Sequence, residues 1–228
     1  MKNNLTIQLA ESSDYFRANI ENFINSENFN INFGVNWYSF ARKELLDELQ
    51  KVYMPTQWHF SESEILLFAS ILSPANRWDK NIEDVINFIK WYHANFDESC
   101  KPKFCTYGQN VNKCIDLIQT RDKYKILNQW YVKGLIVWIN TNMKAHKTLN
   151  FFKHLDNPKD SKWFTIDRHM LKISGIESLS ITPKQYILLQ EIYLEAFESM
   201  KDKFKYSSEF QSILWSNFVY QRHGILHY

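Results

Sequence analysis

Asn140 to Ile173 reads NTNMKAHKTLNFFKHLDNPKDSKWFTIDRHMLKI. A polar turn, Thr141 to His146, opens into a short run, Lys147 to Leu155, that is apolar on one side. A loop rich in Asp, Asn, Pro and Lys follows, and Thr165 to Ile173 predicts a second short helix. Charge is concentrated here. Lys144, Lys147, Lys153, Lys159, Lys162, Arg168 and Lys172 meet only Asp156, Asp160 and Asp167, an excess of four on a chain whose net charge is +2. Such a local excess fits phosphate binding, although a Lys-rich segment is more commonly a solvated helical face.

The flanking sequence predicts further helices. Ser12-Ser13 precede an amphipathic run over Asp14–Ile24, and Phe40, Leu45, Leu49 and Val52 repeat at helical spacing within Trp37–Tyr53. Ser61-Glu62-Ser63-Glu64 is a capping box that starts an apolar helix through Leu72, which Pro74 ends. Asn81–Phe96, Asn110–Thr120 and Tyr124–Ile139 read as three more. Thr182-Pro183-Lys184-Gln185 joins an N-cap, a Pro at N1 and a Gln at N3, so a long helix runs to about Met200. Ser208 opens a last helix through about Arg222. Cys100–Gly108 is expected to be a surface loop. The class is therefore all-α, with about ten helices and no convincing strand.

Composition agrees. Only five Gly and five Pro occur in 228 residues, too few for the tight turns of a sandwich or barrel. Hydrophobic residues make up 45%, enough for a core and too many for a disordered chain. The near-neutral total excludes a histone-like tail. No stretch approaches the roughly 20 apolar residues of a membrane span, and no signal peptide is expected. Three cysteines, Cys100, Cys105 and Cys114, fit a reducing cytosol, and their spacing is no recognisable zinc pattern. A cytoplasmic protein with no membrane partner is expected.

Two residues of the basic segment stand out. Lys147 follows a short turn at the start of a helix, and Asp167 lies twenty positions on, at the start of the next. The plainer readings are a snorkelling lysine and a helix cap. Together, an amine and a carboxylate near one cleft are what attack on a sugar carbon requires. The amine must be neutral to attack, and partial burial with Lys144 and His146 nearby is expected to favour that form.

A turn, Lys-Thr, a short helix, about twenty residues and Ile-Asp-x-His-Met resemble the helix-hairpin-helix superfamily of DNA glycosylases, most closely the 8-oxoguanine DNA glycosylases. The resemblance spans about Ser61 to Arg222. It implies a two-lobed fold with the cleft between lobes, residues 1–60 with 175–228 forming one lobe and 61–174 the other. It also implies Lys147 as nucleophile, Asp167 as the essential carboxylate and His169 as a phosphate contact. Glu64 to Asp79 is similar to the family's apolar helix that ends in Leu-Ser, here Leu72-Ser73, followed by polar residues that plug DNA where a base leaves, which implies DNA contacts for Asn76 and Arg77. Phe210-Gln211-Ser-Ile-Leu-Trp215-Ser216 is similar to the family's Gln-x-x-Leu-Phe-Ser helix, implying that Gln211 reads a flipped base and Trp215 stacks on it.

The hairpin departs from the family pattern. Thr141-Asn142-Met143-Lys144-Ala145-His146-Lys147 carries none of the usual glycines. Asn142 is expected to supply the left-handed backbone in their place, and Lys144 a direct attraction for phosphate, with Asn142 to His146 on the DNA. Some relatives hold an iron–sulfur cluster on four C-terminal cysteines, which this chain lacks, so no cofactor is expected. The function implied is excision of a modified base from double-stranded DNA by a monomer, with lysine Schiff-base and AP-lyase chemistry. The base is an 8-oxoguanine-like or a hypermodified one, as in phage DNA, and the role is either repair or antiviral defence. The alternatives are a non-catalytic helix-hairpin-helix DNA-binding protein and a helical interaction protein.

Overall fold

The computed structural model describes residues 2–54, 57, 59–74, 76–126, 135–143, 145–159 and 162–224. Among these residues the chain is all-α, with no strand. Its helices are α1 (Lys2–Glu11), α2 (Ser13–Ile24), α3 (Trp37–Gln50), α4 (Glu62–Leu72), α5 (Trp78–His93), α6 (Gly108–Ile126), α7 (Leu135–Asn142), α8 (His146–Asp156), α9 (Arg168–Ile173), α10 (Pro183–Ser199) and α11 (Ser207–His223). Three differ from expectation. α1 has neither a cap nor an apolar stripe to announce it. α6 continues past Thr120 to Ile126, and residues 127–134 of the helix expected over Tyr124–Ile139 lie outside the described residues. α9 begins at Arg168, not Thr165, because the preceding residues are extended and bonded to side chains.

The chain forms two compact units, Met1–Phe40 with Lys153–Tyr228, and Ala41–Phe152. The sequence expectation placed the dividing points at 60/61 and 174/175. Asp167 consequently belongs to the first unit and Lys147 to the second.

In the first unit α10 packs on α1 and α2, and α11 on α9. The core between them holds Phe16, Ile20, Phe164, Met170, Tyr193, Phe197 and Phe210. Each such side chain contributes about 1.5–3 kcal/mol by leaving water. The Thr182 capping box forms as expected: its hydroxyl accepts the Gln185 N–H at 3.3 Å, and Gln185 Oε1 accepts the Thr182 N–H at 2.8 Å.

In the second unit α4 is central. Every residue from Glu64 to Leu72 is buried, as a helix apolar on all sides must be. Its capping box also forms, with the Ser61 N–H donating to Glu64 Oε2 at 2.8 Å. α5 and α6 pack on it. Arg121 of α6 is 2% exposed; its guanidinium lies 4.4 Å from the Phe60 ring and donates to the His59 carbonyl and the Tyr92 hydroxyl. Buried Asp84 of α5 accepts the Cys105 and Thr106 N–H groups, which pins the 101–107 loop to the unit. No helix among the described residues is long and apolar enough to cross a membrane.

Candidate active site

Phe164, Thr165 and Ile166 are buried in an extended segment, so their backbone groups need partners from elsewhere. Tyr186 accepts the Ile166 N–H at 2.9 Å and donates to the Phe164 carbonyl at 2.8 Å. Gln211 Oε1 accepts the Thr165 N–H at 2.7 Å. These side chains deliver Asp167 to the N-cap of α9, where Oδ1 accepts the N–H groups of His169 and Met170 at 2.8 and 3.0 Å. Asp167 thus is a helix cap, held by two backbone N–H groups.

The cap sets up a second relationship. Asp167 Oδ2 lies 3.3 Å from His169 Nδ1, and the Trp215 indole N–H donates to that same nitrogen at 3.1 Å. An indole can only donate, so Nδ1 is the acceptor and the imidazole proton sits on Nε2. The Trp215 ring tilts against Trp37, with centroids 6.0 Å apart. One turn before Trp215, Gln211 Nε2 donates to the Tyr38 hydroxyl at 2.8 Å. Burial pushes the Tyr38 phenol well above its ordinary range, and the negative charge of Asp167 adds to the shift. Tyr193 is raised by the same two causes.

Trp37 and Tyr38 are neighbours of this candidate site that the sequence reading missed. A tight turn seats them. Gly34 has φ +78 and Asn36 φ 61. The Gly34 carbonyl accepts the Ser212 hydroxyl at 2.8 Å, and a Cβ on Gly34 would fall 2.3 Å from Ser216 Oγ. Only glycine lets the turn lie this close to α11. The Gly-Val-Asn triplet ahead of two aromatics was the available signal.

In the second unit the hairpin joins α7 to α8. Met143 is buried and its N–H donates to the Ile139 carbonyl at 2.9 Å. The Ala145 carbonyl accepts the Leu149 N–H at 3.1 Å, placing Ala145 at the N-cap. Alanine offers no side-chain acceptor, so His146, Lys147 and Thr148 receive no cap from it. A cavity of about 20 Å³, room for roughly one water, lies among Asn110, Lys113, Asn142, Met143, Ala145 and Thr148. Lys113, an exposed cation on α6, lines this cavity and was not singled out from the sequence. Lys144 lies outside the described residues.

Two expectations for the hairpin are corrected. Asn142 is not left-handed: it closes α7, and its amide donates back to the Trp138 carbonyl at 3.1 Å, so the helix claims it. Lys147, in the first turn of α8, is exposed, so the partial burial expected for it is not found. Between α4 and α5, Asn76 is half-buried and donates to Asp84 Oδ2 at 2.8 Å, whereas Arg77 is exposed and paired with Asp79 at 2.6 Å.

No family model matches this chain, and no curated protein and no solved structure matches it either. Functional inference therefore rests on the site itself. The first unit gathers Asp167, His169, Gln211 and Trp215, four of the residues singled out from sequence, with Trp37 and Tyr38 beside them. Gln211 is 5% exposed and both ends of its amide are bonded within the protein. Among the described residues no group of three or more His, Cys, Asp or Glu side chains is placed to hold a metal ion.

Proposed function

We propose that this chain is a DNA glycosylase of the helix-hairpin-helix kind, which extrudes and excises a modified base from double-stranded DNA. The observation that supports it best is the cluster in the first unit. Asp167, His169, Gln211 and Trp215 are spread over 167–215, yet they meet through the Thr165 backbone, the α9 cap and the Trp215–His169 bond. The proposal includes the two-lobed glycosylase architecture and a cytoplasmic monomer.

Extruding a nucleotide costs a few kcal/mol, which phosphate contacts and aromatic stacking offset. On this reading the α8 N-terminus, Lys144 and Lys113 grip the backbone, and His169 donates Nε2–H to a phosphate. Asn76 and Arg77 fill the gap left by the base. Trp215 stacks on the base and Gln211 reads its edge, which requires Gln211 to exchange an internal bond for one to DNA. The Lys147 amine attacks C1′, and the glycosidic electron pair leaves with the base. Asp167 accepts the amine's proton and stabilises positive charge developing on the sugar. The resulting Schiff base permits strand cleavage by β-elimination.

The exposure of Lys147 and the internally bonded Gln211 favour a second reading, a non-catalytic helix-hairpin-helix module that only grips phosphates. One experiment separates the two: incubation with duplexes bearing 8-oxoguanine or hypermodified bases, and with modified phage DNA, with free base measured. The glycosylase releases one of these bases. The module binds DNA with a steep salt dependence and releases none.

A further inference from the structure

Two groups compete for one nitrogen in the first unit. His169 Nδ1 accepts the Trp215 indole N–H at 3.1 Å, and Asp167 Oδ2 waits 3.3 Å away on the same nitrogen. A neutral imidazole with a bare Nδ1 satisfies Trp215. A protonated imidazole carries hydrogen on both nitrogens and has no lone pair left to accept. The geometry points to a proton-driven exchange: uptake of one proton by His169 turns Nδ1 from the acceptor of Trp215 into a donor to Asp167, releasing the indole and neutralising the carboxylate.

The exchange is balanced. One bond, Trp215 N–H to Nδ1, breaks as one, Nδ1–H to Oδ2, forms, and the proton comes from solvent. His169 is half-buried, so solvent reaches it. Asp167 is held by the two backbone N–H groups on Oδ1, so Oδ2 stays beside the imidazole in both states. Trp215 is half-buried, and its ring lies against both Trp37 and His169.

Among the described residues, charged and titratable groups lie on the helix of His169 and on the helices around it. Arg168 and Lys172 share its helix. On α11, Arg222 lies 5.7 Å over the Phe218 ring that His169 also touches. On α2, Arg17 is engaged by Asp14 and Glu21, and also by Glu195 of α10. Tyr193 of α10 donates its hydroxyl to the Met170 carbonyl, and burial keeps it neutral far above the range in which histidines titrate. Asp167 Oδ2, 3.3 Å from Nδ1, is thus the anion that accepts the new Nδ1–H bond. As regulation of base release the exchange rests on the function proposed above, because it removes the stacking residue and the carboxylate together at acidic pH.

The test is an NMR titration of the DNA-free, 15N-labelled protein, following the Trp215 indole N–H and the His169 ring nitrogens. The indole resonance moves with the His169 midpoint. In Asp167→Asn, which keeps a capping residue, the midpoint falls, since the anion favouring the protonated ring is gone. In Trp215→Phe it rises, since the bond favouring the neutral ring is gone. An indole resonance that stays still through the His169 midpoint overturns the proposal, as does a Trp215→Phe midpoint that is unchanged or lower. The titration needs no DNA, so an absence of base release, which overturns the function above, leaves its result standing.

Discussion

Asp167 Oδ1 takes the backbone N–H of His169 at 2.8 Å, so the carboxylate central to the proposed chemistry is also the N-cap of α9. The two roles come apart by substitution. Asp167→Asn retains a capping oxygen and is expected to fold within a few tenths of a kcal/mol of the parent, whereas Asp167→Ala loses about 1 kcal/mol. Both are expected to bind DNA and to lose base release. Chemical denaturation and a base-release assay on the two variants check this; normal release by Asp167→Asn would reduce the residue to a cap.

Gly34 is expected to be the least replaceable residue of the turn that seats Trp37 and Tyr38. Alanine there must adopt φ +78 and place Cβ 2.3 Å from Ser216 Oγ and 2.6 Å from the Ser212 carbonyl. Gly34→Ala is expected to cost about 2–5 kcal/mol from backbone strain and overpacking. Adding Ser216→Ala recovers only part, because the Ser212 carbonyl remains. Urea midpoints of the single and double variants measure this.

Arg121 tests the second unit. Arg121→Ala leaves the His59 carbonyl and Tyr92 hydroxyl without their donor and a void beside Phe60. A loss on the order of 3 kcal/mol is expected. Arg121→Lys is expected to recover little, because an ammonium lacks the planar fork that reaches both acceptors while stacking. Thermal melting of the two variants decides it.

Alkaline pH is expected to destabilise the fold through buried acids. Burial raises Cys114, Tyr193 and Tyr38 above their ordinary values of 9.0, 10.0 and 10.0. The unfolded chain releases these protons first, so the stability is intact below those values and is lost as pH rises above them, by about 1.4 kcal/mol per pH unit for each group. Tyr38→Phe is expected to flatten the decline above pH 10.0. At neutral pH it costs about 1 kcal/mol, since the Gln211 amide loses its acceptor. Urea titrations between neutral and alkaline pH show the slope.

What was legible in the sequence was local. Ser61 meets Glu64, and Thr182 meets Gln185, three positions apart, so the caps of α4 and α10 can be read directly. The helix-start position of Asp167 was legible for the same reason. What was hidden depends on distant partners. Tyr38 meets Gln211 across 173 positions, and Ser212 meets Gly34 across 178. The extended run before α9 carries a helical pattern, yet Gln211 and Tyr186 bond its backbone more favourably than a helical turn does. Asn142 tolerates a left-handed backbone, but Trp138 offers its amide a helical partner. Lys113 drew no notice because nothing in its own segment points to the hairpin.

The covalent step tests the account most directly. Borohydride reduction during reaction with a cleavable duplex is expected to trap an enzyme–DNA adduct, and Lys147→Gln is expected to abolish it while leaving DNA binding intact. An adduct that persists in Lys147→Gln, or none with any duplex that loses its base, contradicts the assignment of Lys147 as nucleophile.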